Sequence, residues 1–221
     1  MSTNASSARA KELLALAPVV PVITIERAAD AVPLARALVR GGLRTIEITL
    51  RTAAAVDAAT AIIAEVPEGI VGIGTVLTPV DLERSARIGA AFAISPGCSP
   101  DVLRAAASGA LPYTPGIQTA SELTACVTAG FDTVKFFPAV PAGGLAALNA
   151  LTGPFPSVTF CPTGGVGEAN AAEWLAHPNV ITVGGSWIAP ASAIKEGAWR
   201  AIEGRARAAS RLRVNRVLKR Q

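Results

Sequence analysis

Two charged residues sit where the surrounding chain is apolar, and both could do chemistry. The run Thr133-Val134-Lys135-Phe136-Phe137-Pro138 places a lysine inside an otherwise apolar β-type segment. The other three lysines, Lys11, Lys195 and Lys219, all lie in polar or amphipathic helical contexts. Strand alternation puts Lys135 and Phe137 on one face and Val134 and Phe136 on the other. A lysine facing a dry interior can present a neutral amine, which attacks a ketone to form a Schiff base. The competing readings are an edge-strand lysine snorkelling to solvent and a buried lysine paired with a carboxylate.

The second residue is Glu47. In Thr45-Ile46-Glu47-Ile48-Thr49-Leu50-Arg51, the residues Thr45, Glu47, Thr49 and Arg51 share one face and the isoleucines with Leu50 the other. A buried polar face is costly unless it meets a polar ligand. Glu47 is then a candidate general acid/base, and Arg51 a candidate bidentate clamp for a carboxylate. A purely structural ion pair between Glu47 and Lys135 or Arg51 is the alternative. Two glycine turns, Thr163-Gly164-Gly165 and Gly184-Gly185-Ser186, close later strands, and glycine lets backbone N–H groups approach a phosphate. Gly72-Ile73-Gly74-Thr75 offers a backbone or hydroxyl contact, while Ser95-Pro96-Gly97 and Pro115-Gly116 shape loops. Cys161, followed by Pro162, reads as packing, and His177 as a surface loop residue at the far end of the strands.

Positioning these groups requires a scaffold. Short β-type runs at Val19–Thr24, Arg44–Leu50, Ile70–Gly74, Ala91–Ser95, Leu111–Thr114, Thr133–Phe137, Val158–Pro162 and Val180–Gly184 recur every 20 to 26 residues. That is the length of one strand–helix unit. Amphipathic stretches such as Ala28–Arg40 and Ala53–Glu65 lie between them, and helix starts are marked at Thr78-Pro79, Ser99-Pro100 and Thr119–Glu122. Eight such units predict an α/β fold, a single (β/α)8 TIM barrel with an extra N-terminal helix near Ser7–Ala17. An open doubly wound sheet is the competitor, but no G-x-G-x-x-G follows the first strand. In a barrel, the turns after the seventh and eighth strands are the usual phosphate site, so the ordinal positions of the two glycine turns favour a phosphorylated ligand.

Composition narrows the classes. The chain has 221 residues, 51% of them hydrophobic and 16% charged, which disfavours disorder and supports one domain over residues 1–221, its barrel core over about 18–200. Three scattered cysteines and one histidine build no recognisable metal site, so no metal or cofactor is expected in a reduced, cytoplasmic protein. The longest apolar stretch, Leu13–Ile25, is broken by Pro18 and Pro21, and is too short for the roughly 20 residues of a membrane helix. Within it Leu13–Ala17, followed by Pro18, resembles an export signal only faintly, with Glu12 directly before it and a core strand expected from Val19. The net charge of +4 is uneven: residues 200–220 carry eight basic side chains (Arg200, Arg205, Arg207, Arg211, Arg213, Arg216, Lys219 and Arg220) against Glu203 alone. A nucleic-acid tail is one reading, but no aromatic residue interleaves the final arginines, so a solvated helix with a basic end is expected, and neither nucleic acid nor membrane as a partner.

The ordered motifs Pro18-Val19-Val20-Pro21-Val22-Ile23, Ile46–Thr52, Gly72–Leu77, Phe92–Gly97, Lys135–Ala139, Phe160–Gly165 and Gly184–Trp187 resemble the 2-keto-3-deoxy-6-phosphogluconate (KDPG) aldolase family. Many members of that family also cleave 4-hydroxy-2-oxoglutarate (KHG). The resemblance runs from about Val19 to Pro190. It implies a metal-free class I aldolase on a (β/α)8 barrel, usually a homotrimer. By the same resemblance Lys135 is the Schiff-base lysine and Glu47 the acid/base relaying protons through water. Arg51 and Thr75 lie near the pyruvyl carboxylate, Pro96 and Phe137 line the pocket, and Thr163, Gly164, Gly165, Gly185 and Ser186 form the phosphate region. One departure is Val140, where the family often has Glu. Beside the KDPG reading stand three alternatives: KHG as the main substrate, an isomerase using Glu47 without a covalent lysine, and a catalytically silent anion-binding barrel.

Overall fold

The computed structural model describes residues 3–212. The chain alternates strands and helices: α1 (Ala5–Leu14), β1 (Val19–Ile23), α2 (Ala31–Arg40), β2 (Thr45–Thr49), α3 (Ala55–Glu65), β3 (Ile70–Gly74), α4 (Pro79–Arg87), β4 (Phe92–Ile94) and α5 (Pro100–Ser108). It continues through β5 (Tyr113–Thr114), β6 (Gly116–Ile117), α6 (Ala120–Thr128), β7 (Thr133–Phe136), α7 (Gly144–Thr152), β8 (Thr159–Pro162), α8 (Ala171–Leu175), β9 (Val183–Gly185), α9 (Ala191–Lys195) and α10 (Trp199–Ser210).

Local chemistry explains the helix starts. Thr78 and Thr119 each accept from the N–H three residues on, while Asp81 and Glu122 return the bond to the cap backbone, giving two reciprocal capping boxes. Ser99 caps α5 directly before Pro100. Residues 28–40, expected as one helix, open with a 3-10 turn at Ala28–Asp30 before α2 begins.

All strand pairings are parallel, which agrees with helical crossovers between them. Six strands form one sheet in the order β5-β4-β3-β2-β1-β9, and three form another in the order β6-β7-β8. Lone parallel bridges, Phe160 with Val180 and Thr163 with Gly184, join β8 to the chain leading into and through β9. The expected strand Leu111–Thr114 is shorter than its apolar run suggests. Pro112 and Pro115 lack the N–H a ladder needs, so pairing is confined to Tyr113–Thr114 and resumes at Gly116. The expected final strand also shifts: Val180 makes only a bridge, and β9 occupies Val183–Gly185.

The core divides into two clusters. The larger contains Ile46, Ile48, Val134 and Phe136, whose strand faces pack against the helices. The smaller gathers Leu13 and Leu14 of α1 with Val20, Phe92 and Ile94, and so plugs the N-terminal end of the strands. Thr45 Oγ1 donates to the Leu13 carbonyl at 3.3 Å, and Ser7 Oγ donates to Asp132 Oδ1 at 3.0 Å. Helix α1 is thereby tied to both β2 and the start of β7; it begins earlier than the expected Ser7 and ends at Leu14. At the other terminus α10 lies on α2 so closely that a Cβ on Gly41 would sit 2.4 Å from that of Ala206. Glu203 binds Arg40 and Arg207 there at 2.9 and 2.6 Å, so part of the basic surplus is paired on a surface helix. Arg213, Arg216, Lys219 and Arg220 lie outside the described residues.

Candidate active site

Among the described residues one ion pair has both partners buried. Lys135 in β7 and Glu47 in β2 meet with Nζ 3.1 Å from Oε1, their side chains 3% and 2% exposed. Both stand on inward faces, as alternation predicts, because their neighbours Val134, Phe136, Ile46 and Ile48 pack outward. Pairing is what makes the burial tolerable, since either charge alone would be left unsolvated. The Phe137 ring lies with its centroid 5.4 Å from Nζ, adding a π-face to the amine's surroundings. The pair exists because β3 leaves it room. A Cβ on Gly74 would fall 2.1 Å from Glu47 Oε1, so only glycine at this position admits the carboxylate.

Cys161 is the register partner of Lys135 on β8, which puts its side chain on the same inward face. Burial pushes its thiol up to about 12, with the lysine's charge pulling only partly back, so it stays protonated and inert as a nucleophile. Among the described residues no three His, Cys, Asp or Glu side chains are gathered as a metal site. His177 lies apart from the pair. Its Nδ1 accepts from Asn179 N–H at 3.1 Å and its Nε2 faces Asn149 Oδ1 at 2.9 Å. Those partners fix a neutral tautomer with the proton on Nε2, and burial lowers its pKa.

Above the ion pair, at the C-terminal ends of the strands, opens a cavity of about 470 Å³. Val22, the register partner of Glu47, and Phe137 lie at its inner side. Arg51, Thr163, Gly164, Gly165 and Ser186, all named from the sequence, line its wall and rim. Gly164 and Gly165 take φ of +92° and +78°, values open to glycine, and their turn is pinned from outside by Ala139 N–H to Thr163 O and Val140 N–H to Gly164 O. Arg51 is exposed and donates from Nε to Thr75 Oγ1 at 3.3 Å. Thr75 itself has φ +61°, a costly left-handed conformation for a β-branched residue.

Five expected site residues stand back from the wall: Lys135 and Glu47, buried beneath it, and three others. Thr75 reaches the cavity through its bond to Arg51. Pro96 packs against Gly116, where a Cβ would lie 2.3 Å from the Pro96 carbonyl carbon. Gly185 is buried in β9 with the Trp187 ring filling its Cβ position at 1.6 Å, so its neighbours Gly184 and Ser186 face the cavity instead. Sequence reasoning also missed Val22, Thr24, Val166, Trp187 and the Ala189–Ala191 segment, which with Gly184 complete the lining. Only Thr24 had a readable signal: it shares the inward parity of Val20 and Val22 and ends the strand expected at Val19–Thr24.

The comparisons with known proteins converge on the same chemistry. The family model for KDPG and KHG aldolases matches residues 10–204. The KHG/KDPG aldolase of Escherichia coli (strain K12) is 51% identical over 188 residues, 85% of this chain and 88% of that protein. The solved KDPG aldolase of Legionella pneumophila, with pyruvate captured as a covalent carbinolamine intermediate, superposes with a TM-score of 0.89 at 44% identity, covering 91% of this chain and 98% of that one. The Zymomonas mobilis ZM4 KDPG aldolase, solved with 3-phosphoglycerate, superposes with a TM-score of 0.89 at 38% identity, covering 95% and 98%. This chain belongs to the KDPG and KHG aldolase family.

Proposed function

We propose that this protein is a class I aldolase that cleaves KDPG to pyruvate and glyceraldehyde 3-phosphate, with Lys135 as the nucleophile. The observation that carries the reading is the buried Lys135–Glu47 pair, 3.1 Å apart, beneath a cavity with glycine turns at its rim. Attack on the C2 ketone requires the amine without its proton, and Glu47 Oε1 is placed to take it. The resulting carbinolamine loses water, with Glu47 returning a proton to the departing hydroxyl. The iminium that forms withdraws electrons, so the C3–C4 bond breaks as the C4 hydroxyl gives up its proton to Glu47, directly or through water. Glyceraldehyde 3-phosphate leaves. The enamine is protonated at C3, and water then releases pyruvate and regenerates the lysine.

Recognition divides along the cavity. Arg51, steadied by Thr75, receives the pyruvyl carboxylate, with Phe137 and Pro96 shaping that end. Thr163, Gly164, Gly165 and Ser186 receive the phosphate, the left-handed glycines bringing backbone N–H groups to the anion, and Gly185 acts by letting Trp187 pack behind them. The two sheets are arcs of one closed (β/α)8 barrel; the continuity of β5 and β6 around Pro115 and the two bridges from β8 support this closure. We place the enzyme in the cytoplasm as a homotrimer without metal or cofactor. Cys98, Cys126 and Cys161 as free thiols, and the lack of any helix among the described residues long and apolar enough to cross a membrane, support that setting.

The test is pyruvate release from KDPG by the purified chain before and after exhaustive chelation. Unchanged turnover with chelator supports the reading, as does a higher kcat/KM for KDPG than for KHG. Loss of activity on metal removal would contradict class I chemistry, and a preference for KHG would transfer the main activity to that substrate. Sedimentation at micromolar protein checks the trimer.

A further inference from the structure

Thr24 lines the cavity, and also a second one beside Glu26, Arg27, Asp30 and Lys195, and the hydrogen-bond capacity of its hydroxyl can be counted. Thr49 Oγ1 lies 2.9 Å from the Ile23 carbonyl and 3.1 Å from Thr24 Oγ1. A carbonyl only accepts, so the single Thr49 proton goes to Ile23. Thr24 must therefore be the donor in the threonine pair. Its proton is spent inside the wall, and its oxygen is left with acceptor capacity alone. A group meeting that oxygen in the cavity has to be a donor; a carboxylate or phosphate would face it lone pair to lone pair.

The position along the strand identifies the donor. Val22 is in register with Glu47, and Thr24 is the next inward residue, about 6.6 Å further toward the open end of the strand. In KDPG, C5 is the third carbon beyond the C2 that bonds to the lysine, on the way to the phosphate at the rim. It carries a hydroxyl that takes no part in bond breaking. In KHG, C5 is a carboxylate.

We propose that Thr24 is a specificity-determining residue that accepts a hydrogen bond from the substrate C5 hydroxyl, and so favours polyol-derived substrates over the dicarboxylate. This rests on the aldolase reading above and deepens it. Because Thr24 touches neither Lys135 nor the C4 oxygen in this account, it governs which aldehyde half is held, not imine formation.

The experiment runs the reaction in the condensation direction, pyruvate with either glyceraldehyde 3-phosphate or 3-oxopropyl phosphate. These aldehydes differ only in the hydroxyl that becomes the one on C5. The native chain is expected to prefer the hydroxyl-bearing aldehyde in kcat/KM. Thr24→Val is expected to lower the ratio of kcat/KM between the hydroxyl-bearing and the deoxy aldehyde about 3- to 10-fold, with Thr24→Ser restoring it. Absence of preference in the native chain would overturn the proposal, and that measurement needs no variant to fold. Equal losses with both aldehydes, no loss, or a serine variant as poor as the valine one would overturn it as well. Borohydride trapping of pyruvate on the same samples separates the two levels. An adduct on Lys135 with no aldehyde discrimination sinks Thr24 alone, whereas no adduct in the native chain sinks the aldolase reading and this inference together.

Discussion

Beneath the cavity, Lys135 and Glu47 hold each other at 3.1 Å, almost fully buried, on strands of the two different sheets, plugged from below by α1. By contrast Arg51, Gly165 and Ser186 stand exposed on turns that follow strand ends. The inner groups are fixed by sheet register: Glu47 is locked to Val22 on one side and to Gly72 on the other. The outer ones are fixed by single bonds such as Arg51 Nε to Thr75 Oγ1 at 3.3 Å. Chemistry and recognition therefore rest on parts of different stiffness. A change at the floor should remove turnover, and a change at the rim should alter which substrate is held.

The largest effect that would sharpen this contrast is Lys135→Ala, expected to reduce cleavage to background, since among the described residues no other lysine is buried. Substantial residual turnover would show that the floor does not carry the covalent step. Glu47→Gln is expected to lower kcat about 10²- to 10⁴-fold while the pyruvate adduct still forms, as befits a proton carrier. An unchanged rate would remove Glu47 from the mechanism. Gly74→Ala tests the same end sterically. The added methyl must displace the carboxylate, so kcat should fall while KM changes little, at a stability cost of about 1–3 kcal/mol read by denaturant unfolding. At the rim, Ser186→Ala should raise KM for KDPG about 3- to 10-fold with kcat nearly intact. A kcat loss there as large as that of Glu47→Gln would erase the distinction between the two ends.

The smallest effect lies outside both. Burial by itself raises the Glu122 carboxyl, but hydrogen bonds from the Gln118 and Thr119 N–H groups and the Thr119 hydroxyl outweigh it and hold the group below the ordinary carboxylate value. A carboxylate favoured in the folded state stabilises above its unfolded pKa, near 4.3, and that gain is lost as pH falls through the lower folded value. Glu122→Ala should thus cost about 0.5–1 kcal/mol at neutral pH and nothing in acid below the folded value, with activity untouched. A pH-independent difference in unfolding free energy would contradict this cap.

Much of the inner site could be read from the chain because burial leaves a sharp imprint there. A lysine between Val134 and Phe136, or a glutamate between two isoleucines, has few explanations, and strand parity alone gives the direction each side chain faces. Element positions followed from the same alternation, with errors where a local rule overrode it, as when Pro112 and Pro115 cut the expected fifth strand to two short pairings. The room that Gly74 makes for Glu47 was not legible, because it depends on which residues face each other across strands, nor was the room that Gly185 makes for Trp187, because it depends on how that ring folds back over the chain. Nor was the role of Thr24. Its hydroxyl reads as an ordinary strand residue until Thr49 and the Ile23 carbonyl are placed beside it.

One covalent bond, between pyruvate and Lys135, identifies the reacting centre most directly. Incubating the protein with pyruvate and sodium borohydride and mapping the product by peptide mass spectrometry should place a single reduced pyruvyl adduct on Lys135, still formed in Glu47→Gln and absent in Lys135→Ala. No adduct on folded protein, or an adduct on Lys11, Lys195 or Lys219 in its place, would contradict the assignment of the buried pair as the reacting centre.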